Sequence, residues 1–143
     1  TAMGLTNFLV TEQVPDLLTA WVARYITSPY VFLFALNIAL LAVGCLMDVY
    51  SAIVVIVPLI VPLGLQYGID PVQLGVIFLV NLELGFLHPP VGINLFLASY
   101  RFNRPLGEIT WAVLPMLGVV ATAVLLITYW PPLTHWLPAL LAR

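Results

Sequence analysis

The sequence predicts an all-α integral membrane protein whose helices are interrupted at membrane depth, and three observations predict it. The first is composition: 63% of the 143 residues are apolar and 7% are charged, with a mean hydropathy of +1.13, whereas soluble domains carry about a quarter charged residues. So few charges cannot cover a water-soluble surface. The second is the gathering of apolar residues into four blocks, at 31–47, 50–66, 72–87 and 112–130. The third is "GFLHPPVGINLF" at 85–96, where two adjacent prolines and two glycines break a segment otherwise apolar enough for lipid.

Composition also excludes several functions. There is no lysine, and Arg24, Arg101, Arg104 and Arg143 are scattered, so no basic patch exists for nucleic acid. Cys45 is the only cysteine, which rules out an internal disulfide and a cysteine-rich metal site, and it reads as a small buried residue. No nucleophile motif, phosphate loop or paired carboxylates occur, so neither an enzyme nor an organic cofactor is expected. The opening "TAMGLTNFLV" has no basic leader or small-residue cleavage site and does not start with Met, which leads us to expect a piece of a longer protein.

Residues 1–30 are expected to form an N-terminal segment with an interfacial arm helix at 14–25. Val14, Leu17, Leu18, Trp21, Val22 and Tyr25 fall on one helical face, with Asp16, Thr19 and Arg24 opposite. The blocks at 31–47 and 50–66 follow. Between them "GCLMD" (44–48) has too few polar residues for a loop in water. A turn inside the membrane would make 31–66 a re-entrant helical hairpin with arms of about 13 to 17 residues, since spanning takes about 20. Two full spans joined at one surface are the alternative. Asp48 would cap the second arm.

The block at 72–87 stops short at Pro89 and reaches membrane length only if 91–100 continues it. Residues 72–100 therefore read as one discontinuous transmembrane helix. By length, only 112–130 is an ordinary span, a C-terminal transmembrane helix. Residues 131–143 look interfacial, with Trp130 and Trp136 as belt aromatics and His135 as an anchor. Arg101 and Arg104 would hold the loop after the broken helix in the cytoplasm, leaving the C-terminus and the mouth of the hairpin outside.

Unwound backbone survives at membrane depth only where protein buries it or a polar cavity receives it. The break therefore implies a site. Pro89 and Pro90 withdraw two N–H donors and should leave the carbonyls near 84–87 free for a cation. A new helix beginning at Pro90 or Val91 would offer N–H groups and a positive dipole end to an anion. Two such breaks meeting near the midplane mark a secondary transporter site. The candidate anion-binding residues are Gly44, Asp48, Pro90, Val91, Gly92 and Asn94. The candidate cation site comprises Asn81, Gly85, His88, Pro89 and Asp48, largely through backbone carbonyls.

Each candidate has a plainer reading. Asp48, costly at bilayer depth by about 3 kcal/mol, could be a helix cap alone. Gly44 and Gly92 could serve close packing. Asn81, Gly85 and His88 share a face converging on the break, but Asn81 could be a packed amide. Glu83 points away and is expected to pair with a polar group on a neighbouring helix. His88 has no second His or Cys at ligand spacing, so a hydrogen-bonded histidine is expected.

The run "GCLMDVYSAIVVIVPLIVPLGLQYGIDPVQLGVIFLVNLELGFLHPPVGINLFLASYRF" resembles the C-terminal repeat of the large membrane subunit of tripartite ATP-independent periplasmic (TRAP) transporters. Its most specific pieces are the Gly-x-x-x-Asp tip, "PLIVP", "GIDP" and "PPVGINLF". The resemblance implies half of an inverted-repeat elevator transporter in the bacterial inner membrane. It further implies sodium as coupling ion, an organic anion substrate, a periplasmic substrate-binding protein and a small membrane subunit. The family usually carries Thr where this sequence has His88, which bears on the second sodium site. A structural or assembly subunit without its own site is the alternative function.

Overall fold

The computed structural model describes residues 4, 8, 11–89, 91–134 and 136, with residues 14–16 described by their backbone alone. These residues form six helices of ten residues or more and no strand. They are α1 (Val14–Tyr25), α2 (Pro29–Leu46), α3 (Val49–Gln66), α4 (Pro71–Phe86), α5 (Ile93–Phe102) and α6 (Leu106–Tyr129).

Local chemistry sets these boundaries. Pro29 and Pro71 stand in the first turns of α2 and α4, where the missing N–H costs nothing and φ is preset. The Asp70 carboxylate accepts from Val72 N–H at 2.8 Å, and Asp48 caps α3 in the same way. Pro58 and Pro62 lie inside α3; each removes one intrahelical bond, a loss membrane helices tolerate when neighbouring groups compensate. Asn103 ends α5 in the left-handed conformation, φ 51°, which asparagine accepts more readily than most residues.

Several boundaries differ from the sequence-based expectation. Both arms around "GCLMD" are 18-residue helices long and apolar enough to cross a membrane, rather than arms of 13 to 17. α2 begins two residues before the apolar block, at Pro29, and α3 one residue before its block, at Val49. The last helix starts at Leu106, before the apolar block at 112–130, because Pro105 precedes it in extended conformation. α4, at 16 residues, is the shorter apolar helix. Of 131–143, only 131–134 and 136 are described, and His135 lies outside the described residues.

α2 and α4 run parallel and share the main core. Asn37 meets Asn81, and one turn or two further on Gly44 meets Leu82 and Gly85. Phe32, Leu36 and Leu40 pack there with Leu74, Ile77 and Phe78. α6 runs antiparallel along α4: the Gln73 amide donates to the Thr128 carbonyl at 3.1 Å near one end, while Leu84 and Leu87 join Val113 and Leu117 near the other. α3 returns antiparallel to α2, bringing Tyr67 onto Phe32 with ring centroids 4.4 Å apart. The Tyr67 hydroxyl donates to the Ile26 carbonyl at 2.6 Å, tying in the end of α1. The apolar face of α1 is divided: Val22 packs on the core, while Leu17, Trp21 and Tyr25 stay exposed.

Candidate functional site

The interruption between α4 and α5 is built by proline chemistry. A helical carbonyl is satisfied by the N–H three or four residues on, and for Phe86 those residues are Pro89 and Pro90, which have none. Its oxygen therefore has no helical partner. The neighbouring carbonyls fare differently. Leu87 N–H donates to Leu84 O and His88 N–H to Gly85 O, each at 3.1 Å, so a tightened last turn recaptures two of the carbonyls expected to be free.

Gly92 closes the break. Its N–H donates to His88 O at 3.0 Å, and a Cβ there would stand 2.7 Å from both Phe86 O and His88 O. Only glycine lets the chain pass so near two carbonyls. α5 then starts at Ile93 with Gly92 as its cap, two or three residues later than a start at Pro90 or Val91, because this turn must first be completed. The first-turn amides are those of Ile93 and Asn94, and the Asn94 side chain is half-buried. Val91 is exposed, and Pro90 lies outside the described residues.

The link between α2 and α3 sits directly on this break. Built on Gly85, a Cβ would lie 2.6 Å from Gly44 Cα, so the two backbones touch. One residue on, the Cys45 thiol lies 3.5 Å from Gly85 O, 3.6 Å from His88 O and 3.8 Å from His88 Nδ1. A cavity of about 80 Å³ joins the two elements, lined among others by Gly44, Asp48, Phe86, Val91 and Ile93. Asp48 is exposed and accepts from Ser51 N–H at 3.0 Å and from the Ser51 hydroxyl at 2.6 Å. It is a cap, with carboxylate surface left over. Gly44, Asp48, Gly85, His88 and Gly92 thus assemble at one place.

Asn81 does not. Its amide donates to Asn37 Oδ1 at 2.7 Å and to Ile77 O at 2.8 Å. The Thr128 hydroxyl approaches the same Asn37 oxygen at 3.2 Å, and the Asn37 amide donates to Leu33 O at 2.7 Å. All three side chains are buried. The Asn81 side chain belongs to a polar seam through α2, α4 and α6, one helical turn before Gly85. Glu83 is exposed, and among the described residues no polar group on a neighbouring helix pairs with it, because its face of α4 turns away from both α2 and α6. Asn37 and Thr128 were not singled out by sequence reasoning, and Cys45, expected to be buried, is half-buried. Asparagines at 37 and 81 in otherwise apolar helices were the available signal.

The family model described as "Tripartite ATP-independent periplasmic transporter, DctM component" matches residues 1–133. The C4-dicarboxylate TRAP transporter large permease protein of Pseudomonas aeruginosa is 39% identical over 137 residues, covering 96% of this chain and 32% of that protein. The sialic acid TRAP transporter large permease protein of Vibrio cholerae is 33% identical over 141 residues, 96% of this chain and 33% of the relative. The isethionate TRAP transporter permease protein of Oleidesulfovibrio alaskensis is 36% identical over 125 residues, 87% of this chain and 20% of the relative. The chain thus spans a third or less of each of these three relatives.

Proposed function

Because this chain belongs to the DctM-component family of tripartite ATP-independent periplasmic transporters, multi-pass proteins of the bacterial inner membrane, we propose that it builds one half of a site for a coupling sodium ion and an organic anion. The observation that carries this reading is the seating of the α2–α3 link on the α4–α5 break, where the Phe86 carbonyl lacks a helical partner. Carbonyl oxygens are the hard donors that a small cation prefers. Phe86 O and His88 O, gathered around Gly92, are the first candidates here. The first turn of α5, with Ile93, Asn94 and the dipole of the helix start, suits the anion.

The same arrangement supports a re-entrant hairpin over two complete spans. The α2–α3 link lies level with His88. Past that level α6 continues from Val113 back to Leu106, about 10 Å of helix. The link thus stops short of the polar end marked by the Arg104–Glu108 pair. Arg101 and Arg104 favour the cytoplasm for that end. In this reading the hairpin and broken helix move together as part of an elevator.

The named substrates of the relatives, C4-dicarboxylates, sialic acid and isethionate, support an organic acid as cargo. A periplasmic binding protein and a small membrane subunit complete the proposed assembly. The test is uptake of a C4-dicarboxylate by the reconstituted full-length transporter with its binding protein, with and without a sodium gradient. Gradient-dependent uptake supports the proposal. A subunit serving assembly alone would neither take up the anion nor gain thermal stability from sodium, since only a ligand that binds the folded state stabilises it.

A further inference from the structure

We propose that the side of α4 carrying Val72, Leu79 and Glu83 is a docking surface for a membrane helix from the rest of the full-length polypeptide, and that this helix presents an arginine or lysine to the Glu83 carboxylate. Val72, Leu79 and Glu83 follow one another at helical spacing, so they share one side of α4. The other sides are taken. Leu74, Phe78 and Leu82 pack in the core with α2, and Gln73 and Leu84 face α6. Val72 is 47% and Leu79 54% exposed, and Glu83 is exposed beyond them.

Depth decides what can cover this side. The Gln73 amide is bonded to the Thr128 carbonyl of antiparallel α6. Ten residues on along α4 and ten back along α6 bring Glu83 level with Gly118, the middle of the 24-residue, membrane-length helix Leu106–Tyr129. A carboxylate at mid-membrane is costly against lipid, and such groups turn to protein and pair with an opposite charge. Val72 and Leu79 alone would suit lipid; Glu83 does not. The described arginines are engaged elsewhere: Arg104 pairs with Glu108, Arg101 lies in the last turn of α5, and Arg24 belongs to the end of α1 held by Tyr67. The cation must therefore come from outside the described residues. This chain covers 32% of the C4-dicarboxylate relative and 33% of the sialic acid relative, so in a polypeptide of that length about two thirds is available to pack here. A helix on this side would complete the surround of α4, which already meets α2, α3 and α6.

The test is photocrosslinking of the full-length protein in membranes, with Leu79→p-benzoylphenylalanine as the probe. Light should join position 79 to a segment of the same polypeptide outside these 143 residues, with an Arg or Lys within about one helical turn of the crosslink. Crosslinks only to lipid, to the small membrane subunit or to a second copy, or none at all, would overturn the docking. The charge is tested by thermal unfolding. Glu83→Leu should lower Tm, because it leaves a buried cation without its partner, and neutralising the cation found by crosslinking should restore Tm in the double variant. Where Glu83→Leu fails to accumulate, Glu83→Gln takes its place with the same expected fall. A Tm equal to or above wild type, or no recovery in the double variant, would overturn the pairing. These readouts involve neither sodium nor the anion, so they fail or hold independently of the proposed transport function.

Discussion

Gly44 and Gly85 cross with their backbones in contact, a Cβ on Gly85 reaching to within 2.6 Å of both Gly44 Cα and its carbonyl carbon. This crossing fixes the height at which the α2–α3 link meets the α4–α5 break. Small residues are how membrane helices come this close, since packing rather than hydrophobic exclusion drives their association.

Gly85→Ala should therefore be costly despite adding one methyl group. The obstructing atoms are backbone, which cannot rotate aside, and overpacking of this kind costs about 1–3 kcal/mol. Thermal unfolding in detergent should show a lower Tm. Gly75→Ala, on the same helix with open space at its Cβ position, should leave Tm unchanged or slightly raised. Equal behaviour of the two variants would show that the crossing contributes nothing to stability.

The Asn37–Asn81–Thr128 seam predicts a coupled pair. Asn81→Leu strips Asn37 Oδ1 of its shortest hydrogen bond, and buried interhelical bonds in membranes are worth about 0.6–2 kcal/mol. Asn37→Leu should cost a similar amount. Because the two side chains serve one another, the double variant should lose less than the sum of the singles. Additive losses in a thermal-shift cycle would mean that the bond contributes nothing.

For Asp48, capping and charge can be separated. Asp48→Ala removes the acceptor for Ser51 N–H and should lower Tm. Asp48→Asn keeps a capping oxygen but no charge. Sodium-driven uptake that is lost in both variants assigns the carboxylate to the cation site. Uptake preserved in Asp48→Asn and lost in Asp48→Ala reduces it to a cap.

Orientation follows from Arg101 and Arg104. Gly107 is exposed beside that loop with open space around its Cβ position, so Gly107→Cys provides a mild reporter. It should resist an impermeant thiol reagent added from the periplasmic side. Labelling of intact spheroplasts there would invert the topology.

Much of this architecture can be read from the chain. Pro29, Pro71, Asp48 and Asp70 announce helix starts because ring geometry and carboxylate capping act locally. Pro89, Pro90 and Gly92 announce the break because missing N–H groups are a property of the sequence itself. The Asn37–Asn81 bond and the Cys45–His88 contact join residues 44 and 43 positions apart, and no local rule reaches that far. The lengths of α2 and α3 escaped for a related reason: hydropathy marks the apolar stretch, whereas the helix continues until a cap or turn stops it.

In the proposed function Pro89 and Pro90 open the cation site by denying Phe86 O its helical partner. Replacing both with alanine restores an N–H at position 90 for Phe86 O and one at position 89 for Gly85 O, letting the helix run through. The segment stays apolar and should still insert. The direct measurement is the sodium dependence of uptake by the reconstituted Pro89→Ala, Pro90→Ala double variant. A markedly higher sodium requirement or lost coupling at normal protein levels is expected, and wild-type sodium dependence would contradict the proposed site.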